Sequence, residues 1–312
     1  MDNNKLMTEG VKMGVLFVVL FALSLYIPAL GTIASLFLLL PFLVYSAKYS
    51  VRAATGFGAI CLLVSLLLGG VTAVPFALLF ILPGTVMGMM VQKNRDKFSI
   101  FMAGSLLFLL NIVVLYAMVM GMPGDQAVNI SESFRQSYEE SAKMMESLGT
   151  PLPEEAVEQA QEVFDYLLAL MPALLVLFSM GSMLVMMAIS FPIAKKLGVD
   201  VPKFKPFREW QVPKSILWYY IILLLASLIA LPEKGTMWYF SYINIMFMLQ
   251  FCLLIQGLSF LYFTAHLKKW PQIIPILITV FSILILPLLY IVRLLGIIDL
   301  GFDLRQRLQR KI

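Results

Sequence analysis

Charge is scarce in this chain, and the side chains that usually carry catalysis are scarcer. Of 312 residues only 13% are charged, one is a histidine (His266) and two are cysteines (Cys61 and Cys252). One histidine and two distant cysteines fall short of the ligand count of a His/Cys metal site. No Gly-rich phosphate loop of the Walker type occurs, so the chain does not itself power transport by hydrolysing nucleotide. Both cysteines sit inside apolar segments, where they read as small buried hydrophobes rather than a disulfide or a reactive thiol. Paired carboxylates occur only in one polar insert, as a solvated face. The first eight apolar segments are essentially free of ionisable groups, which argues against a proton-coupled carrier or a channel with charged rings. No base, nucleophile, metal site or cofactor motif remains to support an enzyme.

What the chain has is apolar length. Hydrophobic residues make up 61% of it, and the mean hydropathy is +0.91. Stretches of about 20 apolar residues, long enough to cross a ~30 Å hydrocarbon core, recur throughout. The fold class is therefore all-α, a polytopic transmembrane helical bundle; a membrane barrel would show short alternating strands instead. The spans read as 11–28, 32–47, 53–68, 74–91, 98–121, 166–194, 215–231 and 237–265, with a last apolar stretch from 272 to about 300. The first of these reads as a membrane helix, not a cleavable signal.

Charge then orders the loops. Lys5 and Lys12 precede the first span, Lys48 and Arg52 follow the second, and Lys93, Arg95 and Lys97 follow the fourth. Lys195, Lys196, Lys203, Lys205, Arg208 and Lys214 follow the sixth, and Lys268 and Lys269 the eighth. Every second loop is basic, as the positive-inside rule requires of cytoplasmic loops, which places the N-terminus in the cytoplasm of a bacterial inner membrane. The basic pI of about 9.1 follows from these loops and implies no nucleic acid. Between Met122 and Asp165 the pattern inverts, with ten acids against Arg135 and Lys143, a balance of about −8 in a chain of +5. This insert falls outside. Phe134, Tyr138, Ala142, Met145 and Leu148 share one helical face, Gly149, Pro151 and Pro153 mark a turn, and Glu154 and Glu155 suit a following first turn. An extracytoplasmic acidic helical hairpin is expected at 122–165, its second arm continuous with the sixth span. The Asn129-Ile130-Ser131 glycosylation pattern there is idle in a bacterial-looking chain.

The end of the chain admits two arrangements. A single ninth span would leave Arg293, Arg305, Arg307, Arg310 and Lys311 outside, against the rule. A hairpin broken at Pro287, which removes a helix hydrogen bond, returns that basic tail to the cytoplasm and is favoured. Before it, residues 197–214 form a linker in which Phe204, Phe207 and Trp210 alternate with Lys203, Lys205 and Arg208. This suits a juxtamembrane segment at anionic headgroups, or the docking of a cytoplasmic partner. The organisation is thus 1–196, a six-span domain including the hairpin, then linker 197–214, then 215–312 with two or three C-terminal spans. Asn111, Asn244, Gln250 and Gln256 read chiefly as interhelical hydrogen-bonding groups. Gly10 with Gly14, Gly56 with Gly58, and Gly84 with Gly88 mark close helix approaches.

Together, several segments carry a resemblance. These are Thr8-Glu9-Gly10-Val11-Lys12-Met13-Gly14, Ile27-Pro28-Ala29-Leu30-Gly31, a short span ending in Pro41, the Gly-rich 53–59 and the Gly69-Gly70 loop. The first six spans resemble the S (substrate-binding) subunits of energy-coupling-factor transporters. The whole chain, with its ending Gly296-Ile297-Ile298-Asp299-Leu300-Gly301-Phe302-Asp303-Leu304-Arg305, resembles the YybS-like bacterial membrane proteins, a family placed near those subunits. The resemblance implies capture of a small extracellular solute for uptake, docking on a coupling subunit and energy from ATPases. By it, Gly10 and Gly14 meet the coupling subunit, and Tyr26, Pro28, Thr32, Asn111, Tyr116 and Tyr166 line an outward pocket. The long acidic hairpin and the added C-terminal spans depart from the S-subunit plan. They support an alternative, a non-transport membrane adaptor touching an envelope protein through the hairpin and a cytoplasmic partner through 197–214.

Overall fold

The computed structural model describes residues 3–120, 130–147, 154–203 and 205–309, and among these every regular element is helical. The helices are α1 (Asn3–Tyr26), α2 (Pro28–Ser35), α3 (Leu39–Lys48), α4 (Val51–Gln92), α5 (Lys97–Met120), α6 (Ile130–Ser147), α7 (Glu154–Ala169) and α8 (Met171–Lys196). A 3-10 turn at Phe207–Glu209 precedes α9 (Ser215–Ile229), α10 (Met237–Leu267), α11 (Ile273–Leu284), α12 (Leu286–Phe302) and α13 (Leu304–Gln309). Six helical segments among the described residues are long and apolar enough to cross a membrane: Asn4–Tyr26, Pro28–Lys48, Val51–Gln92, Lys97–Met118, Met171–Lys196 and Met237–Leu267. The chain is an all-α, multi-pass membrane protein whose spans contact lipid. It divides into two compact units, Met1–Gln161 with Leu174–Phe204, and Glu162–Ala173 with Lys205–Ile312.

Local chemistry sets the helix ends of the first unit. Ile27 is extended because Pro28 follows it, so α1 stops at Tyr26. The expected span 32–47 lies within the continuous segment Pro28–Lys48, whose two helices α2 and α3 are joined through Leu36–Leu38 by i→i−3 hydrogen bonds that tighten the chain without ending it. α4 runs 42 residues, about 63 Å if straight, twice what a bilayer needs. It is not straight: Gly70 has φ 68° and ψ −164°, a conformation open to glycine, and the chain folds back there. A Cβ on Gly58 would lie 3.2 Å from Ile81 Cγ2, which only a hairpin allows across 23 residues. The two arms match the expected spans 53–68 and 74–91. Asp96 caps α5, accepting from the Ser99 hydroxyl at 2.7 Å and its amide at 2.9 Å. Those two bonds hold its carboxyl below the ordinary range, so the cap persists above that range and fails only as pH falls through the lowered value.

The core of this unit is filled by side chains. Phe17, Phe21, Phe42, Leu43, Met87, Ile100, Met183, Met187 and Phe191 are fully buried, and Phe17 packs on Phe21 and Phe42 with ring centroids 5.1 Å apart. Gly84 and Gly88 let the second arm of α4 touch the backbone of α3: a Cβ on Gly88 would stand 2.5 Å from the Leu43 carbonyl. Lys48 bridges to Glu9 at 3.0 Å, tying α3 to α1. α6 and α7 form the expected hairpin arms, linked by the Tyr138 hydroxyl donating to the Ala156 carbonyl at 3.4 Å. Leu148, Gly149, Pro151, Pro153, Asn129 and Phe204 lie outside the described residues.

The second unit is built on α10 crossing α12. Gly257 and Gly296 meet there so closely that a Cβ on either would overlap a carbonyl of the other helix, Val292 or Leu253. Ridge-into-groove packing needs no side chain at such a point, and main-chain contact replaces it. The last apolar stretch is broken as expected rather than one straight helix: it bends by 118° at Ile285, two residues before Pro287, which sits in the first turn of α12, where its missing N–H costs nothing. We predict that Gly257→Ala destabilises the protein by about 1–3 kcal/mol or more, through overpacking. Gly56→Ala, facing open space, should stay within about 1 kcal/mol of the unaltered protein. Thermal unfolding in detergent distinguishes them.

Candidate functional site

The one dense polar constellation among the described residues lies in the second unit, at the end of α12. Asp299 and Arg305 are 4% and 5% exposed, too buried for either charge to be left unanswered. Arg305 Nε donates to Asp299 Oδ2 at 2.9 Å, and Gln256 Nε2 of α10 donates to the same oxygen at 2.6 Å. Arg305 Nη1 donates to the Arg208 carbonyl at 2.9 Å, and Nη2 to Ser259 Oγ at 3.1 Å. Ser259 Oγ stands 2.7 Å from the carbonyls of both Phe207 and Trp210, its single proton serving one at a time. Gln256 Oε1 accepts from the Val212 amide at 2.9 Å.

The local sequence makes this possible. Gln256 and Ser259 are three apart on α10 and so share a face. α12 ends at Phe302, and Asp303 takes the left-handed conformation (φ 50°) that asparagine and aspartate tolerate, turning α13 back over the helix it left. Lys214 holds that turn through Asp303 Oδ2 at 2.6 Å. Arg305, six residues past Asp299, thereby returns to it. Phe207 adds edge contacts to Trp210 and Tyr262, each at 5.4 Å between centroids, and the Arg305 guanidinium lies 5.5 Å from the Phe263 ring. Every polar group here is engaged in binding main chain or counter-charge. The arrangement can clamp; it offers no free nucleophile and no poised proton. What it clamps is the loop at 207–212.

A second polar contact breaks a helix. Between α7 and α8, Asn244 Nδ2 donates to the Ala169 carbonyl at 2.7 Å and Oδ1 accepts from the Ala173 amide at 2.9 Å. In an unbroken helix those two groups would bond each other. The amide of α10 is inserted into that bond, beside Pro172, which has no N–H to give. The expected continuity of the hairpin arm with the sixth span is therefore interrupted at Leu170.

The residues expected to line a pocket lie in several parts of the structure. Tyr26, Pro28 and Thr32 come together, exposed, at the α1–α2 corner, where the Tyr26 hydroxyl donates to the Leu68 carbonyl and Thr32 to Pro28 at 3.2 Å. Asn111 spends its amide on the Leu107 carbonyl of its own helix at 2.7 Å, and Tyr116 is about half exposed. No hydrogen bond among the described residues joins these two to that corner. Tyr166 belongs to the second unit and is half exposed. A Cβ added at Gly10 would lie 3.4 Å from the Tyr45 ring and one at Gly14 3.8 Å from the Phe57 ring, both within the first unit.

The clamp itself escaped sequence reasoning, although its residues were visible. Gln256 reads from sequence as an interhelical bond, which it makes. Asp299 and Arg305 read as part of a terminal tail, and the signal missed was an acid inside an apolar stretch with an arginine just past its end. Removing Arg305 alone leaves Asp299 as an uncompensated buried charge, so Arg305→Met should cost about 3–5 kcal/mol. Adding Asp299→Leu should recover most of that loss, and denaturation in micelles measures the cycle; simple additivity would contradict the clamp.

Comparison with known proteins agrees with the class. The chain is 26% identical to "Uncharacterized protein YybS" of Bacillus subtilis (strain 168) over 314 residues, spanning 99% of this chain and 100% of that one. The family described as "Predicted membrane protein (DUF2232)" matches residues 15–300. No solved structure matches.

Proposed function

Because the chain belongs to the DUF2232 family of membrane proteins, we propose that it is a non-transport membrane adaptor presenting residues 205–214 to a cytoplasmic partner. The observation that carries this reading is the buried Asp299–Arg305 clamp, which holds the carbonyls of Phe207, Arg208 and Trp210 and the amide of Val212. A linker that merely joined two sets of spans would need no such fixation. An ordered loop bearing Lys205, Arg208, Trp210 and Lys214 suits an acidic protein surface, with the aromatic as anchor. The positive-inside pattern puts this loop in the cytoplasm and the acidic hairpin, near 122–165, outside, where an envelope protein is its counterpart.

A second reading is S-subunit-type uptake of a small extracellular solute, with a coupling subunit meeting Gly10 and Gly14 and ATPases supplying energy. In it Tyr26, Pro28, Thr32, Asn111 and Tyr116 would contact the solute. One observation favours it: the hydroxyls of Ser46, Thr85, Ser105 and Ser190 are buried in the first unit without hydrogen-bond partners, and a solute could engage such groups. Against it stand the filled aromatic core and the outward placement of Tyr26, Thr32 and Tyr116.

One experiment separates the two. A photo-crosslinking residue at position 205 or 210 should capture an acidic cytoplasmic protein. Arg305→Met should reduce that capture several-fold while deletion of residues 125–160 leaves it intact. Capture of nucleotide-hydrolysing subunits, together with a melting shift on adding vitamins, metals or nucleobases, would establish the uptake reading and refute the adaptor.

A further inference from the structure

Two charged residues lie in α12, and they are satisfied differently. Asp299 is answered by Arg305 and Gln256. Arg293 is not: its Nε is buried without a hydrogen-bond partner, and no ion pair reaches it among the described residues. Its guanidinium carbon stands 5.4 Å from the Tyr290 ring centroid. The ring face attracts the cation but accepts none of its five N–H groups. Arginine cannot escape by losing its proton, as a buried lysine can, and an unanswered cation in a membrane-embedded helix is costly.

What surrounds the guanidinium limits the anion that can answer it. Tyr290, Ile291 and Leu294, on the same stretch of helix, are 61%, 53% and 54% exposed. Tyr290, three residues before Arg293, shares its face of α12, so the guanidinium borders the helix surface that faces lipid. A soluble anion would have to cross that apolar surface, whereas a phospholipid carries its phosphate along it. We propose that Arg293 binds the phosphate headgroup of an anionic membrane lipid. The guanidinium fork donates to the phosphate oxygens, and the acyl chains lie along the exposed surface of α12 beside Tyr290.

The test uses the full-length protein in mild detergent with equal amounts of phosphatidylglycerol and phosphatidylcholine, retained lipid being counted by native mass spectrometry. The unaltered protein should retain phosphatidylglycerol at least about fivefold over phosphatidylcholine. Arg293→Gln should abolish the preference. Arg293→Lys, which keeps the charge and loses the fork, should keep part of it. Leu225→Gln, a polar change on the exposed surface of α9 that spares the cation, should leave it intact and so separates lost binding from lost folding. An equal preference in Arg293→Gln and the unaltered protein overturns the proposal, as does an unaltered protein without preference, whose arginine then only reaches for the interface. Displacement of the lipid by inorganic phosphate at constant ionic strength assigns the site to the free ion and refutes the lipid.

Discussion

A guanidinium buried among apolar helices must be given oxygen on every side it can reach, and in this protein the structure of the C-terminal unit follows from doing so for Arg305. The Asp299 carboxylate, the Ser259 hydroxyl and the Arg208 carbonyl come from three separate parts of the chain. Gln256 then shares the carboxylate and reaches on to Val212. To bring α10, α12 and the 207–212 loop to one point, α10 and α12 must touch, which is why Gly257 and Gly296 sit at their crossing. The chain must also turn back past α12, which is the role of Asp303 in its left-handed conformation. Charge, glycine and turn serve one contact.

The first unit is held together by other means. Its interior is aromatic and methionine-rich, its close approaches are made by glycine against main chain, and its one described interhelical ion pair, Glu9–Lys48, lies at the edge. In lipid the drive to bury apolar surface between helices is weak, so contact depends on how nearly backbones approach. Gly84 and Gly88 against α3 provide that approach. Asn244 shows the complementary device, an amide that occupies the gap in another helix rather than a small residue that lets helices close.

Much of this was legible in the residues. Apolar length marked the spans, Gly69-Gly70 marked the fold-back within α4, and Pro28 marked the end of α1. The spacing of Phe134, Tyr138, Ala142 and Met145 along one helical face marked α6. The break at Leu170 was not legible, because the group that opens it, Asn244, lies more than 70 positions away. The break near Pro287 was legible to within two residues, the bend itself falling at Ile285. The clamp was hidden: its partners converge only after α13 turns back, and a six-residue separation on a helix would have put Asp299 and Arg305 on different faces. Tyr26, Thr32 and Tyr116 had the chemistry of a pocket, but side-chain direction depends on neighbours that spacing does not supply.

Buried charge, rather than lipid contact alone, fixes the 207–212 loop, and amide hydrogen exchange tests this most directly. The Val212 amide donates to Gln256, whose other end rests on Asp299. Peptides covering 207–212 should exchange slowly in the unaltered protein, and about tenfold or more faster in Arg305→Met, as local opening becomes cheaper. Equal and rapid exchange in both proteins would mean that the loop is held by nothing in the clamp, and would contradict the account.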